Sequence, residues 1–134
     1  MHKIPIQTLV LLTVLLMLAG CKTAHILTVN NAPIPTARSG NLTIGEVGNA
    51  IIKAGNGLDW EMHPKAAGHI IGTRYFRTHQ AAVDITYSRQ DYTIQYRSSV
   101  NLKYDGTNIH KKYNEWVVEL SQAIDASIAS AQYK

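Results

Sequence analysis

Cysteine is nearly absent from this chain, and the single one it has stands at position 21. One thiol cannot close an internal disulfide, so no covalent staple holds the fold. Charged residues are also scarce, at 16% of 134 positions, and the basic ones are scattered rather than run together. A nucleic-acid binder concentrates its cations in a stripe, so no nucleic-acid partner is expected. There are no internal repeats and no low-complexity stretches. Also missing are a G-x-S-x-G elbow, a Gly-rich phosphate loop and the paired H-x-x-x-H spacing of a zinc site. Ser99, His110 and Asp105 offer the residue types of a nucleophilic triad, and His63, His69, His79 and His110 those of a metal site, yet no spacing ties either set together. No catalytic residue, metal ligand or dissociable cofactor is therefore expected, and the chain reads as a protein that is not an enzyme.

What the sequence does have is one concentrated apolar run, at its start. Lys3 precedes Leu9 to Ala19, in which only Thr13 is polar. A run of about a dozen residues is too short for a hydrocarbon core of roughly 30 Å, which takes about 20 residues. It has instead the form of an export signal. Leu18-Ala19-Gly20-Cys21 follows, and this resembles the lipobox of bacterial lipoproteins. The resemblance implies a diacylglycerol thioether on Cys21, cleavage after Gly20 and acylation of the new amino terminus. Small side chains let the scissile backbone enter a peptidase site within the membrane, and only a thiol is a soft nucleophile that can be alkylated first. Each buried methylene contributes roughly 0.8 kcal/mol, and one chain alone holds a protein only marginally. Lys22 stands where retention at the inner membrane usually has Asp, and by analogy with other lipoproteins of double-membraned bacteria the resemblance implies the periplasmic face of the outer membrane. Removing residues 1–20 takes away one cation, Lys3, and lowers the formal charge from +4 to +3.

Residues 21–41 read as the lipidated amino terminus and a tether. Asn30, Asn31, Pro33, Pro35, Ser39 and Gly40 break any period, while Ile26, Leu27 and Val29 leave open an edge strand packed on the body. A single domain is expected over 42–131. Thr43 and Glu46 form a capping box, with Leu42 and Val47 as the hydrophobic staple, opening a helix with Ile44, Val47, Ile51 and Ala54 on one side. Gly55 and Gly57 supply its stop. Leu58, Trp60 and Met62 alternate as a first strand before Pro64. Residues 69–76 form a second, whose inward set is either Ile70, Gly72 and Phe76 or Ile71, Thr73 and Tyr75. Ala81, Val83, Ile85 and Tyr87 mark a third, and Tyr92, Ile94 and Tyr96 a fourth. Short connections imply antiparallel hairpins. Asn108 can cap a last helix carrying Tyr113, Trp116, Val117, Leu120, Ile124 and Ile128 on one stripe. The fold class is α+β: a helix, about four antiparallel strands and a helix, with both helices on one face of a twisted sheet.

Several stretches resemble a family of small, uncharacterised lipoproteins of Gram-negative bacteria. They are Ala50-Ile51-Ile52, Trp60, Gly68 with Ile70, the strand from Ala82 to Tyr87, and the strand from Tyr92 to Tyr96. Asn101-Leu102 and the closing run from Ile109 to Val117 complete the likeness. It implies the same lipidated α+β module and carries no activity or ligand with it. His110, Tyr113 and Asn114 form the densest polar and aromatic cluster and are the candidate binding residues, with Ser99 and Asn101 in reach. Arg74, Asp84, Arg97 and Lys103 are expected on the open sheet face, as cross-strand pairs or as a docking surface for an acidic partner or a peptidoglycan carboxylate. Trp60, Tyr96 and Trp116 could line an aromatic pocket or simply belong to the core. The expected function is a non-catalytic, membrane-anchored periplasmic module that binds an envelope protein or peptidoglycan. The alternative is a lipid-anchored enzyme acting on cell-wall or phospholipid substrate.

Overall fold

The computed structural model describes residues 22–37 and 40–133. The leader at 1–20 and Cys21 lie outside the described residues. Helix α1 spans Ile44–Asn56 and opens on the expected capping box. Thr43 Oγ1 accepts the Glu46 amide at 3.2 Å, and Glu46 Oε2 accepts the Thr43 amide at 2.7 Å. Val47, Ala50, Ile51 and Ala54 are buried, while Ile44 at the head of the stripe remains 40% exposed.

Four strands follow as a meander: β3 at Trp60–Ala66, β4 at His69–Phe76, β5 at His79–Tyr87 and β6 at Asp91–Val100. A fifth comes from before α1. Strand β2, Val29–Pro33, lies antiparallel on the far edge of β6 and gives the sheet order β2-β6-β5-β4-β3. The stretch read as a tether is thus strand in two places, because Thr23–His25 forms β1 and pairs with β7 at Asn108–His110. The structure is α+β, with two helices, a five-stranded antiparallel sheet and a small two-stranded one. Helix α2, Lys111–Gln132, leaves β7 without a loop. Its cap is His110, not Asn108. Pairing with β1 keeps Asn108 extended, and His110 Nδ1 accepts the Lys112 amide at 3.0 Å.

Register settles the ambiguous inward face of β4. Met62, Gly72 and Val83 stand in one row across the sheet, and Ile70, Ile85 and Ile94 in the next. All six are buried. Helix α1 comes close at Gly48, where a Cβ would lie 2.5 Å from Tyr87 Oη, and closer still at Gly55 beside Met62 Sδ. Helix α2 meets the sheet through Tyr92, whose hydroxyl lies 2.8 Å from Ser121 Oγ and donates to Asp125 Oδ1 at 2.7 Å. The helices join where Ser127 Oγ donates to the Ala50 carbonyl at 2.7 Å. Each large apolar side chain sealed in this core contributes about 1.5–3 kcal/mol.

Arg74 departs from the expectation of an open-face residue. It continues the inward row of Ile70 and Gly72, and its guanidinium lies 4.9 Å from the centre of the Trp116 ring with Glu119 at 3.4 Å. A long cation at the end of an inward row can snorkel past the core edge while its stem stays packed.

Candidate functional site

The cluster expected around His110 stands where the chain's beginning meets α2. Asn114, one turn into the helix, accepts the Leu27 amide on Oδ1 and donates from Nδ2 to the His25 carbonyl, both at 2.9 Å. The Lys22 carbonyl accepts the Lys111 amide at 2.9 Å. The amino-terminal segment is therefore clasped to the start of α2 by backbone and side chain together. Tyr113 points the other way, fully buried, with its hydroxyl unpartnered and its pKa pushed up by burial. His110 is half-buried, and its ring centre lies 5.9 Å from that of His79. Burial first, and then electrostatic repulsion from His79 and from the cations Lys103, Lys112 and Lys22, push its pKa below the ordinary 6.5.

Of the other residues singled out, Ser99 Oγ is 2.8 Å from Tyr96 Oη, and Asp105 Oδ1 accepts the Thr107 and Asn108 amides at 2.9 and 2.7 Å. Those two amides hold the Asp105 carboxyl below the usual carboxylate range. Among the described residues no hydrogen bond joins Ser99, Asp105 and His110. Trp60 and Trp116 are core, and Tyr96 is half-buried with its ring 4.1 Å from that of Tyr104. Two clefts open elsewhere. One of about 380 Å³ lies between Glu46, Asn49 and Lys53 of α1 and Ser127 and Ser130 of α2. The other, about 320 Å³, lies between Pro33 and Ile34 and the Asp125–Ile128 turn of α2. Among the described residues no three His, Cys, Asp or Glu gather as a metal site would require, and no helix is long and apolar enough to cross a membrane.

The second face of the sheet carries a polar cluster that sequence reasoning found only in part. Asp84 sits at its centre, with His69 Nε2 2.7 Å and Arg97 Nη1 3.1 Å from Oδ1. The pairing of β5 with β6 shifts between Ala82 and Val83, leaving Arg97 as the extra residue. Such a bulge re-aims a side chain, and here the guanidinium turns onto Asp84. Glu61 and His63 lie on the same face, both exposed and 3.9 Å apart. His69 is 15 residues from Asp84, a separation with no motif in it. The available signal is strand parity, which is clear for Asp84 in β5 and undecided for His69, whose strand has two possible inward sets. Lys103 is not on this face but in the exposed turn after β6.

No protein-family model, curated protein or solved structure matches the chain. The geometry therefore carries the functional reading alone. It offers an exposed, mixed-charge sheet face at one place and a clasped amino terminus at another.

Proposed function

We propose that this chain is a lipid-anchored envelope module that binds a partner through the open face of its sheet. In this reading Cys21 carries the acyl chains and the mature body stands at the periplasmic side of the outer membrane. Both helices cover one sheet face. Support for that arrangement comes from α1 meeting Tyr87 and Met62, and α2 meeting Tyr92 and, through Trp116, Arg74, four sheet residues on the inward side. Among the described residues no helix then covers the opposite face, and the observation that carries the reading is its His69–Asp84–Arg97 cluster among exposed Glu61, His63, Thr86 and Gln95. Asp84 and His69 are half-buried and Arg97 is exposed, and a pair so close to solvent contributes little to folding, of order 0–1 kcal/mol. A charged cluster of this kind in a sheet centre offers both signs of charge to a polar envelope protein or peptidoglycan.

A photo-crosslinking residue at Thr86 or Gln95, used in intact envelopes, tests the face. Recurrent adducts from these positions and none from the exposed Gln122 on α2 are expected; equal yields from both sides would defeat the assignment. The anchor is tested separately by Cys21→Ser, which should leave an unprocessed precursor. Normal processing and detergent-phase partitioning of that variant would defeat it.

A further inference from the structure

The end of the molecule at which the described chain begins has an unusual surface. Lys22, Arg77, Lys103 and Lys111 are exposed there, and Lys112 is half-buried. They belong to one neighbourhood. Lys111 bonds the Lys22 backbone at 2.9 Å, and Lys112 and Arg77 lie 6.0 and 5.2 Å from the centre of the Phe76 ring. The two acids nearby are occupied, Glu115 with Lys112 at 3.7 Å and Asp105 with the amides of its own turn. Among the described residues no carboxylate stands at ion-pair distance from Lys22, Arg77, Lys103 or Lys111. Exposed apolar side chains gather at the same end: Tyr75 at 55%, Phe76 at 44%, Val100 at 55% and Tyr104 at 40%.

Local stability does not explain these choices. Arg77 and Lys103 have φ of 55° and 54°, the left-handed region that favours glycine or asparagine. Lys111 and Lys112 occupy the first turn of α2, which holds no acid, at the end where the helix dipole disfavours a cation. Four positions thus break a local rule, and each places a positive charge on one surface. Rules broken together in one place mark function rather than folding.

We propose that this end docks on an anionic phospholipid surface, with Arg77, Lys103, Lys111 and Lys112 toward the headgroups and Phe76 and Tyr104 at the interface. The inference rests on the anchor assigned to Cys21. That residue is one peptide bond from Lys22, about 3.8 Å between Cα atoms, so a lipid there leaves no slack between body and bilayer. Cations beside aromatic rings are typical of such interfaces. A chain held this way presents its far surfaces outward at a fixed orientation.

Lysine acetylation of the lipid-bearing protein, read by mass spectrometry, tests the docking. The protein is reconstituted into vesicles of phosphatidylcholine alone or with about one quarter phosphatidylglycerol. Lys103, Lys111 and Lys112 should be labelled at least threefold more slowly on the anionic vesicles, with Lys65, at the far end of β3, unchanged. The difference should vanish at roughly 0.5 M salt, where screening acts over a few ångströms. Equal labelling on both vesicles overturns the proposal. The double variant Arg77→Gly with Lys103→Gly removes two cations at positions glycine adopts readily, so its fold is kept; protection of Lys111 and Lys112 should fall at least twofold. Undiminished protection in that variant would mean the wrong surface was chosen. Flotation with phosphatidylcholine vesicles reports the anchor itself. A protein that does not float lacks the lipid, and the anchor and this inference fall together; one that floats with unprotected lysines sinks the docking alone.

Discussion

Asn114 closes a contact between residues almost ninety positions apart, and it does so with both ends of its amide. Alanine there leaves the Leu27 amide and the His25 carbonyl without their partner. Leu27 is half-buried, and an amide so abandoned costs about 1–3 kcal/mol, whereas the exposed His25 carbonyl can turn to water. Asn114→Ala is therefore expected to lower the unfolding free energy by that order and to speed amide exchange at Leu27. Unchanged exchange at Leu27 would mean the clasp is held by the backbone pairing of β1 with β7 alone. The sequence singles out this side chain together with His110 and Tyr113, because polar and aromatic residues crowd there. It does not say what they grip, since the other half of the contact is backbone amides and carbonyls in a stretch with no side-chain pattern of its own.

Elements differ in legibility for the same reason. The opening of α1 is a local event: Thr43 and Glu46 are three residues apart, so a capping box can be read directly from the chain. Thr43→Ala should cost about 1 kcal/mol, seen as a lower thermal midpoint; a midpoint unmoved would show that the Leu42 and Val47 contacts hold the helix start unaided. The meander from β3 to β6 is legible through its alternation. Pro64 does not end β3 as its position suggests, because β3 is an outer strand and an outer strand tolerates a missing donor. Strand β1 is hidden, and β2 shows only as the apolar Ile26, Leu27 and Val29 that leave an edge strand open, with nothing to say where it pairs. The two strands are three and five residues long and pair with β7 and β6 far along the chain. Asn108 fails as a cap on the same account, since only its pairing with His25 makes it strand.

At the scale of the whole molecule, the gathering of positive charge around His110 makes stability depend on pH. Folding favours the neutral imidazole, because burial first, and then the nearby His79 and three lysines, oppose its protonation. The unfolded chain takes up the proton near 6.5 and the folded one only at lower pH, so stability is full above about pH 7 and falls as pH drops through 6.5 toward the folded value. Replacing His110 by Asn keeps a side chain able to cap α2 and removes the titration. Thermal midpoints at pH 8 and pH 5 should differ less in His110→Asn than in the parent, and an equal difference would place the effect on other groups.

The two outer strands have a further consequence. Pro64 sits inside β3 and the pairing slips just after it, while β2 carries Pro33 and slips between Val29 and Ala32. Neither rim therefore presents an unbroken ladder of free amides and carbonyls on which another copy could extend the sheet. However densely these molecules are crowded side by side, both margins of the five-stranded sheet oppose strand-to-strand polymerisation.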